Sequence, residues 1–203
     1  AVAEFGTVYV YPKEYAEEDE GYAAFSITKK GVRIIGQSDE DRMLPVIDNA
    51  TLGETAISIY EDNATIMGFT IDFSGDACPV PNFTSGIVVA QTVTGATINF
   101  NNFVVSNAES ETPCEITDVV GVEAHDDNQV NARNNWWGSD DGPSSLDDSQ
   151  LVYSCIGSNP SGATPTEAVA EGTGAAVAGA VCFDPYLESE FQGAVLTVDN
   201  TAA

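Results

Sequence analysis

The side chains able to do chemistry in this chain are almost all carboxylates. There are 32 Asp and Glu, 6 Lys and Arg, and one histidine, His125. Two carboxylates at the right separation cut a glycosidic bond, one as the acid and one as base or nucleophile. With so many acids scattered along the chain, a close pair arises by chance, so their number does not specify a hydrolase. His125 leads into Asp126 and Asp127 after an apolar run and reads as a solvated turn residue. Proton removal beside a uronate needs a base, and the candidates are Arg33, Arg42, Arg133, Lys13, Lys29 and Lys30. Their expected role is pairing with the acidic surface. The chain has no glycine-rich phosphate loop and no nucleophile elbow. One histidine and two methionines are too few for copper delivery, and no C-x-x-C pair suggests zinc. Calcium alone is left open. Asp140-Asp141, Asp147-Asp148 and Glu17 to Glu20 offer oxygen ligands, though without the spacing of a calcium loop. The expectation is no catalytic residue and no cofactor.

The formal charge of −26 excludes further partners. Nucleic acid needs a basic face that releases counterions, and anionic membranes need the same. No apolar run reaches transmembrane length, so no membrane insertion is expected. The carboxylates are dispersed, which coats a folded surface rather than forming a tail. Their mutual repulsion destabilises a compact state in ordinary buffer. Molar salt shortens the screening length to roughly 3 Å and removes most of that penalty. Acid excess with only three lysines therefore reads as halophilic adaptation.

Four cysteines, Cys78, Cys114, Cys155 and Cys182, suit two disulfides in an oxidising compartment. Asn49, Asn63 and Asn82 each begin a glycosylation sequon. Both point to an extracellular, cell-surface location. The chain carries no recognisable signal peptide and reads as mature or trimmed.

The elements that must position these groups are short strands. Ala56 to Tyr60, Ala64 to Met67 and Phe69 to Phe73 are bursts of alternating or β-branched residues between Gly, Asp and Asn. They repeat. Ile34, Ile66, Ile98 and Ala132 are separated by 32, 32 and 34 residues; Ile27, Ile57, Ile87 and Val122 by 30, 30 and 35. A β-only repeat of this length matches one turn of a parallel β-solenoid, with Ile34, Ile66, Ile98 and Ala132 as an inward stack. The loops holding Cys78 and Cys114 follow equivalent strands 36 residues apart, which favours a Cys78–Cys114 bridge and leaves Cys155 to Cys182. Four cysteines permit three connectivities. Residues 139–174 are rich in Ser, Gly, Asp and Pro and read as a surface excursion. Strand character returns from Ala176 to Phe183, and Ala194, Val195, Leu196, Thr197 and Val198 form a last short strand.

Asn134, Asn135, Trp136, Trp137 and Gly138, followed by Gly142 and Pro143, resemble the N-N-W-W-G…G-P signature of right-handed parallel β-helix repeat proteins of archaeal and bacterial surfaces. Gly172 to Gly174, Phe183 to Leu187 and the opening run Gly6 to Pro12 are similar to later and earlier parts of that family. The resemblance spans roughly residues 5–187. It implies an all-β, right-handed parallel β-helix of about 30–35 residues per coil over residues 1–187, with 188–203 as a tail. It transfers fold rather than function, because this scaffold hosts lyases, hydrolases, copper-delivery proteins and passive fibres. The hydrolases use Gly-His-Gly and Arg-Ile-Lys elements, and neither is present. The asparagine amides are expected to pair backbone groups at the coil's turn, and the tryptophans to cover apolar surface where the regular stack ends.

The expected function is an extracellular structural protein of a halophile. It would self-assemble through the β-helix ends, with Ala194 to Val198 adding to a neighbouring subunit. Two alternatives stand beside it. One is a carbohydrate-active or glycan-binding module using Tyr9, Tyr11, Tyr15, Tyr22 and Tyr60; the other is a viral spike or fibre.

Overall fold

A computed structural model of the chain describes residues 3–12, 25–39, 43–47, 54–73, 83–104, 119–125, 130–145, 153–154, 166–167 and 172–193. Among these residues every regular element is a strand. The first is β1 (Thr7–Val10). Three sets of three follow: β2 (Phe25–Ile27), β3 (Arg33–Gly36) and β4 (Val46–Ile47); β5 (Glu54–Ile59), β6 (Thr65–Met67) and β7 (Thr70–Asp72); β8 (Phe83–Val89), β9 (Thr97–Asn99) and β10 (Asn102–Val104). Then come β11 (Val120–Ala124), β12 (Val130–Asn131), β13 (Pro143–Ser145), β14 (Tyr153–Ser154), β15 (Thr166–Glu167), β16 (Gly174–Ala178) and β17 (Val181–Cys182).

Successive repeats lay equivalent strands side by side in three parallel sheets. Sheet I runs β1-β3-β6-β9-β12-β17, sheet II runs β10-β7-β4, and sheet III runs β13-β16-β11-β8-β5-β2. The fold is therefore all-β and built from parallel sheets. Inward side chains of all three sheets share one hydrophobic core, which includes Ile66, Ile71, Phe103 and Ile87. Each fully buried Ile or Phe adds about 1.5–3 kcal/mol relative to exposure.

Sheet I keeps the expected register: Ile34 pairs with Ile66 and Ile66 with Ile98, while Thr97 pairs with Asn131 and so sets Ala132 beside Ile98. Ile66, Ile98 and Ala132 are fully buried; Ile34 is only partly so, because it lies near the open first edge. In sheet III the expected register is correct for Ile57, Ile87 and Val122 but wrong by two residues for Ile27. Phe25 is the partner of Ile57, and Ile27 pairs with Ile59. Both choices keep the same face inward, because side chains alternate with a period of two, so the apolar pattern alone did not separate them.

The corners need backbone that most residues avoid. Between sheets III and I stand Gly31, Asn63 and Gly95, all with positive φ; between sheets I and II stand Gly68, Phe100 and Asn134, also positive. At the second corner a Cβ on Gly36 would sit 1.9 Å from the Gly68 carbonyl oxygen, so the two glycines let successive turns touch.

The run Ala176 to Phe183, expected as one strand, is split. Gly179 takes φ 77° and divides β16, in sheet III, from β17, in sheet I. The expected excursion over 139–174 contains ordered structure at both ends. Pro143–Ser145 forms the outermost strand of sheet III beside β16, and β14 and β15 pair antiparallel.

Candidate functional site

The residues picked out by the family-like motif converge on one corner and on the layer just beyond it. Asn135 is fully buried in a polar ladder. Its Nδ2 donates to the carbonyls of Ile98 (2.6 Å) and Ala132 (2.7 Å), and its Oδ1 accepts from the backbone N–H of Asn101 (2.8 Å). Asn101, also fully buried, repeats the arrangement one layer down, accepting from the N–H of Phe69 at 3.1 Å and donating to the Ile66 carbonyl at 3.3 Å. Backbone groups that turn away from the ladders at a corner would otherwise be buried unpaired, at about 1–3 kcal/mol each. Asn134 has a different task. It takes φ 57° and stacks its backbone between Phe100 and Pro185.

Trp136 bridges Asn102 in sheet II and is partly buried. Trp137 points inward, is fully buried and stacks on Phe103 with centroids 4.8 Å apart and planes 12° from parallel. Among the described residues its indole N–H has no hydrogen-bond partner. Gly121 and Gly174 make room for it: a Cβ on Gly121 would meet the indole at 3.0 Å, and one on Gly174 would meet the Trp137 carbonyl at 2.3 Å. Gly142, at φ 91°, lies under the Tyr186 ring, and Pro143 begins β13.

Two aspartates tie adjacent repeats together. Asp62 accepts from the Thr94 N–H (2.8 Å) and hydroxyl (3.0 Å) and from Lys30 Nζ (3.3 Å). Asp141 accepts from the Ser139 hydroxyl (2.5 Å) and from the Thr173 N–H (3.0 Å) and hydroxyl (3.1 Å). The Thr94 N–H first, then its hydroxyl and Lys30, hold Asp62 below the usual carboxylate range. The Ser139 hydroxyl first, then the Thr173 N–H, do the same for Asp141. In each pair Asp precedes Thr by 32 residues, one repeat length, and that spacing is the signal in the sequence that marks the tie. Asp141 was a calcium candidate; its carboxylate is engaged in this tie. Asp140 is exposed, and Asp147, Asp148 and Glu17 to Glu20 lie outside the described residues. Among the described residues no three His, Cys, Asp or Glu group as metal ligands.

The two ends of the stack differ. The first end presents β1, which pairs only with β3 among the described strands. Phe5, Tyr9 and Tyr11 stand on or beside it with 66%, 55% and 60% of their surface exposed. They are three of the five large hydrophobic residues that are exposed among those described. The far end is formed by β13 and β17.

A strap joins these ends, and nothing in the sequence pattern signalled it. Leu187 N–H donates to the Asn135 carbonyl at the far end (2.9 Å). Phe191 exchanges two hydrogen bonds with the Asn102 side chain (2.8 and 3.0 Å) and sets its ring 5.3 Å from that of Phe100. Gly193 reaches Ser38 and Leu44 in the first full repeat. Residues 187–193 thus run back across the outer face of sheet II, over the row Asn102, Thr70 and Val46.

Cys182 is buried and disulfide-bonded. Its partner, necessarily Cys78, Cys114 or Cys155, lies outside the described residues, as do Asn49, Asn82 and Ala194 to Val198. Asn63 is exposed on its turn. Arg33 is exposed on β3, and Arg133 follows β12 three repeats away, so the two do not meet. His125 is half-exposed with Nε2 3.4 Å from Glu123 Oε1. Tyr15 and Tyr22 are outside the described residues. No protein-family model, no curated protein and no solved structure matches this chain.

Proposed function

We propose that this chain is an extracellular structural protein of a salt-loving organism. Its repeats wind as a right-handed parallel β-helix, and copies join end to end into filaments or a surface layer. The observation that carries this reading is the first end of the stack. An edge strand with unpaired backbone groups is a template for another chain, and soluble proteins usually blunt such edges with charge, proline or cover. Here β1 instead carries the exposed Tyr9, with the exposed Phe5 and Tyr11 on either side of it. The strap adds direction. It brings Gly193 back to Ser38 and Leu44 in the first full repeat, next to the repeat that β1 begins. Contact between the first end of one copy and the β13–β17 end of the next is heterologous, and such contacts propagate unless they close a ring. The dispersed carboxylates limit this association to high salt, where repulsion is screened over roughly 3 Å.

Light scattering and electron microscopy on the same sample in molar salt test the proposal. Regular polymers are expected, reduced to folded monomers by Tyr9→Lys or by removing residues 194–203. A monomer at every salt concentration refutes it, and polymers unaffected by both changes refute the assigned ends.

A further inference from the structure

We infer that the outer face of sheet III carries a binding cleft for a neutral sugar ring, a site separate from the ends of the stack. Tyr60, Ala90 and His125 each follow directly on their strands, β5, β8 and β11. The backbone ladder keeps them in line: Tyr60 N–H donates to the Ile27 carbonyl (3.0 Å), Ala90 to Ile59 (2.9 Å) and His125 to Val89 (3.2 Å). Neighbouring strands lie roughly 4.8 Å apart, so two aromatic side chains stand about 10 Å apart with only a methyl group between them. The result is a notch of about 410 Å³ lined by Ser58, Tyr60, Val88, Ala90, Gln91 and His125. That volume lies at the small end of the range for small-molecule clefts, roughly 300–1,000 Å³.

The lining selects the ligand. Tyr60 is 55% exposed, and His125 half-exposed, so both offer their surfaces to an occupant. A ring with an apolar C–H face packs against such surfaces, which are apolar in body and polar at the tip. Hydroxyl groups find both donors and acceptors in Ser58, Gln91, Tyr60 and His125. Glu123 Oε1, two residues earlier on the same outward face, lies 3.4 Å from His125 Nε2 and steadies the imidazole. Among the described residues no Lys or Arg lines the notch, and the chain's charge of −26 repels anions, so a uronate or phosphate is disfavoured and an uncharged sugar fits.

His125 is the sole histidine, so its imidazole signals in an NMR spectrum report this notch without assignment work. The full-length chain carrying Tyr9→Lys, the change that keeps it monomeric, is titrated in molar salt into the millimolar range with methyl glycosides of glucose, galactose, mannose and N-acetylglucosamine. Tetramethylammonium and galacturonate serve as charged probes. A saturable shift of the His125 signals with at least one neutral glycoside is expected. Tyr60→Ala in the same background should weaken that binding at least tenfold with an unchanged unfolding midpoint, and Ala substitution at the exposed Met43, away from the notch, should leave it unaltered. Saturation only by a charged probe, no saturation by any neutral glycoside, or full binding by Tyr60→Ala each overturns the assignment. Polymerisation is read separately by light scattering, so failure here leaves the assembly proposal standing.

Discussion

Replacing Asn135 with leucine tests the central physical claim about the motif. Leucine keeps the volume and removes every polar atom of the side chain. Three short hydrogen bonds disappear, to the carbonyls of Ile98 and Ala132 and from the Asn101 N–H. All three partners turn toward a fully buried side chain, so water does not replace it. At about 1–3 kcal/mol for each buried group left unpaired, the loss is at least about 3 kcal/mol. That is a large share of a domain's usual 5–15 kcal/mol or so. The neighbouring residue supplies the contrast. Asn134 contributes backbone at φ 57°, where a side chain costs about 1 kcal/mol and glycine costs nothing sterically. Asn134→Gly should therefore change stability by less than about 1 kcal/mol in either direction, since glycine also gains freedom when unfolded. Urea unfolding in molar salt, followed by tryptophan fluorescence, measures both. Equal losses from the two variants, or a loss under about 1 kcal/mol for Asn135→Leu, would falsify the division of labour between adjacent asparagines.

Asp62 and Asp141 have depressed folded-state values, so their contribution is full above the ordinary carboxylate value of 3.8 and is lost as pH falls through the lower folded value. Acid titration of the unfolding midpoint should show that loss below about pH 3.8 in the wild type, and Asp62→Asn and Asp141→Asn should each flatten it. Trp137→Ala removes the fully buried indole stacked on Phe103 and should cost about 3–5 kcal/mol, whereas Trp136→Ala, from a partly buried outward position, should cost clearly less; the same urea assay ranks them. Gly68→Ala puts a Cβ 2.4 Å from the Gly36 carbonyl oxygen at φ 79° and should lower the thermal midpoint by several degrees, while Asn63→Ala, at φ 57° on an exposed turn, adds no Cβ clash and should lower it clearly less. Reduction of the Cys182 disulfide should cost about 2–4 kcal/mol, read as a shift of the urea midpoint with and without reductant.

The sequence made the repeat legible because its strongest signal, isoleucine every 32 residues, reports directly on sheet I. Where the period was read from sheet III the result slipped by two at Ile27, since apolar residues occupy both Phe25 and Ile27 and either satisfies the alternation. Ala176 to Phe183 read as one strand because a single glycine in an apolar run carries no sign of φ; only the geometry reveals Gly179 as a corner. Asn101 was missed although it stands 34 residues before Asn135 and does the same work. Its neighbours differ, so the match was hidden at the level of motif and visible only at the level of position. The strap was not legible at all. Its anchoring is a pair of hydrogen bonds between the Asn102 side chain and the Phe191 backbone, 89 residues apart in the chain, and no local pattern encodes that meeting.

The register explains why two asparagines and two tryptophans occur in one run. Trp136 bridges Asn102, and Phe103 N–H donates to the Trp136 carbonyl, so Phe100-Asn101-Asn102-Phe103 lies directly on Asn134-Asn135-Trp136-Trp137. The first position of each quartet is the left-handed corner, filled by Phe100 and Asn134. The second turns into the buried ladder, as Asn101 and Asn135. The third faces out, where Asn102 is held by the strap and Trp136 forms the bridge. The fourth faces in, where Phe103 and Trp137 stack. One repeat earlier the same positions are Gly68, Phe69, Thr70 and Ile71, and the polar ladder stops there, with the Phe69 N–H donating to Asn101 Oδ1 above. The corner is thus hydrophobic early in the stack and polar late. Each asparagine amide pairs backbone of its own layer and of the layer below: Asn135 takes the Ala132 and Ile98 carbonyls and the Asn101 N–H, and Asn101 takes the Asn99 and Ile66 carbonyls and the Phe69 N–H. These backbone groups are turned out of the strand ladders at the corner and are buried, so they need side-chain partners. Above Asn135 the chain itself takes over, with Leu187 N–H donating to the Asn135 carbonyl. An asparagine supplies one acceptor and two donors at that point, which is why this residue type stands there.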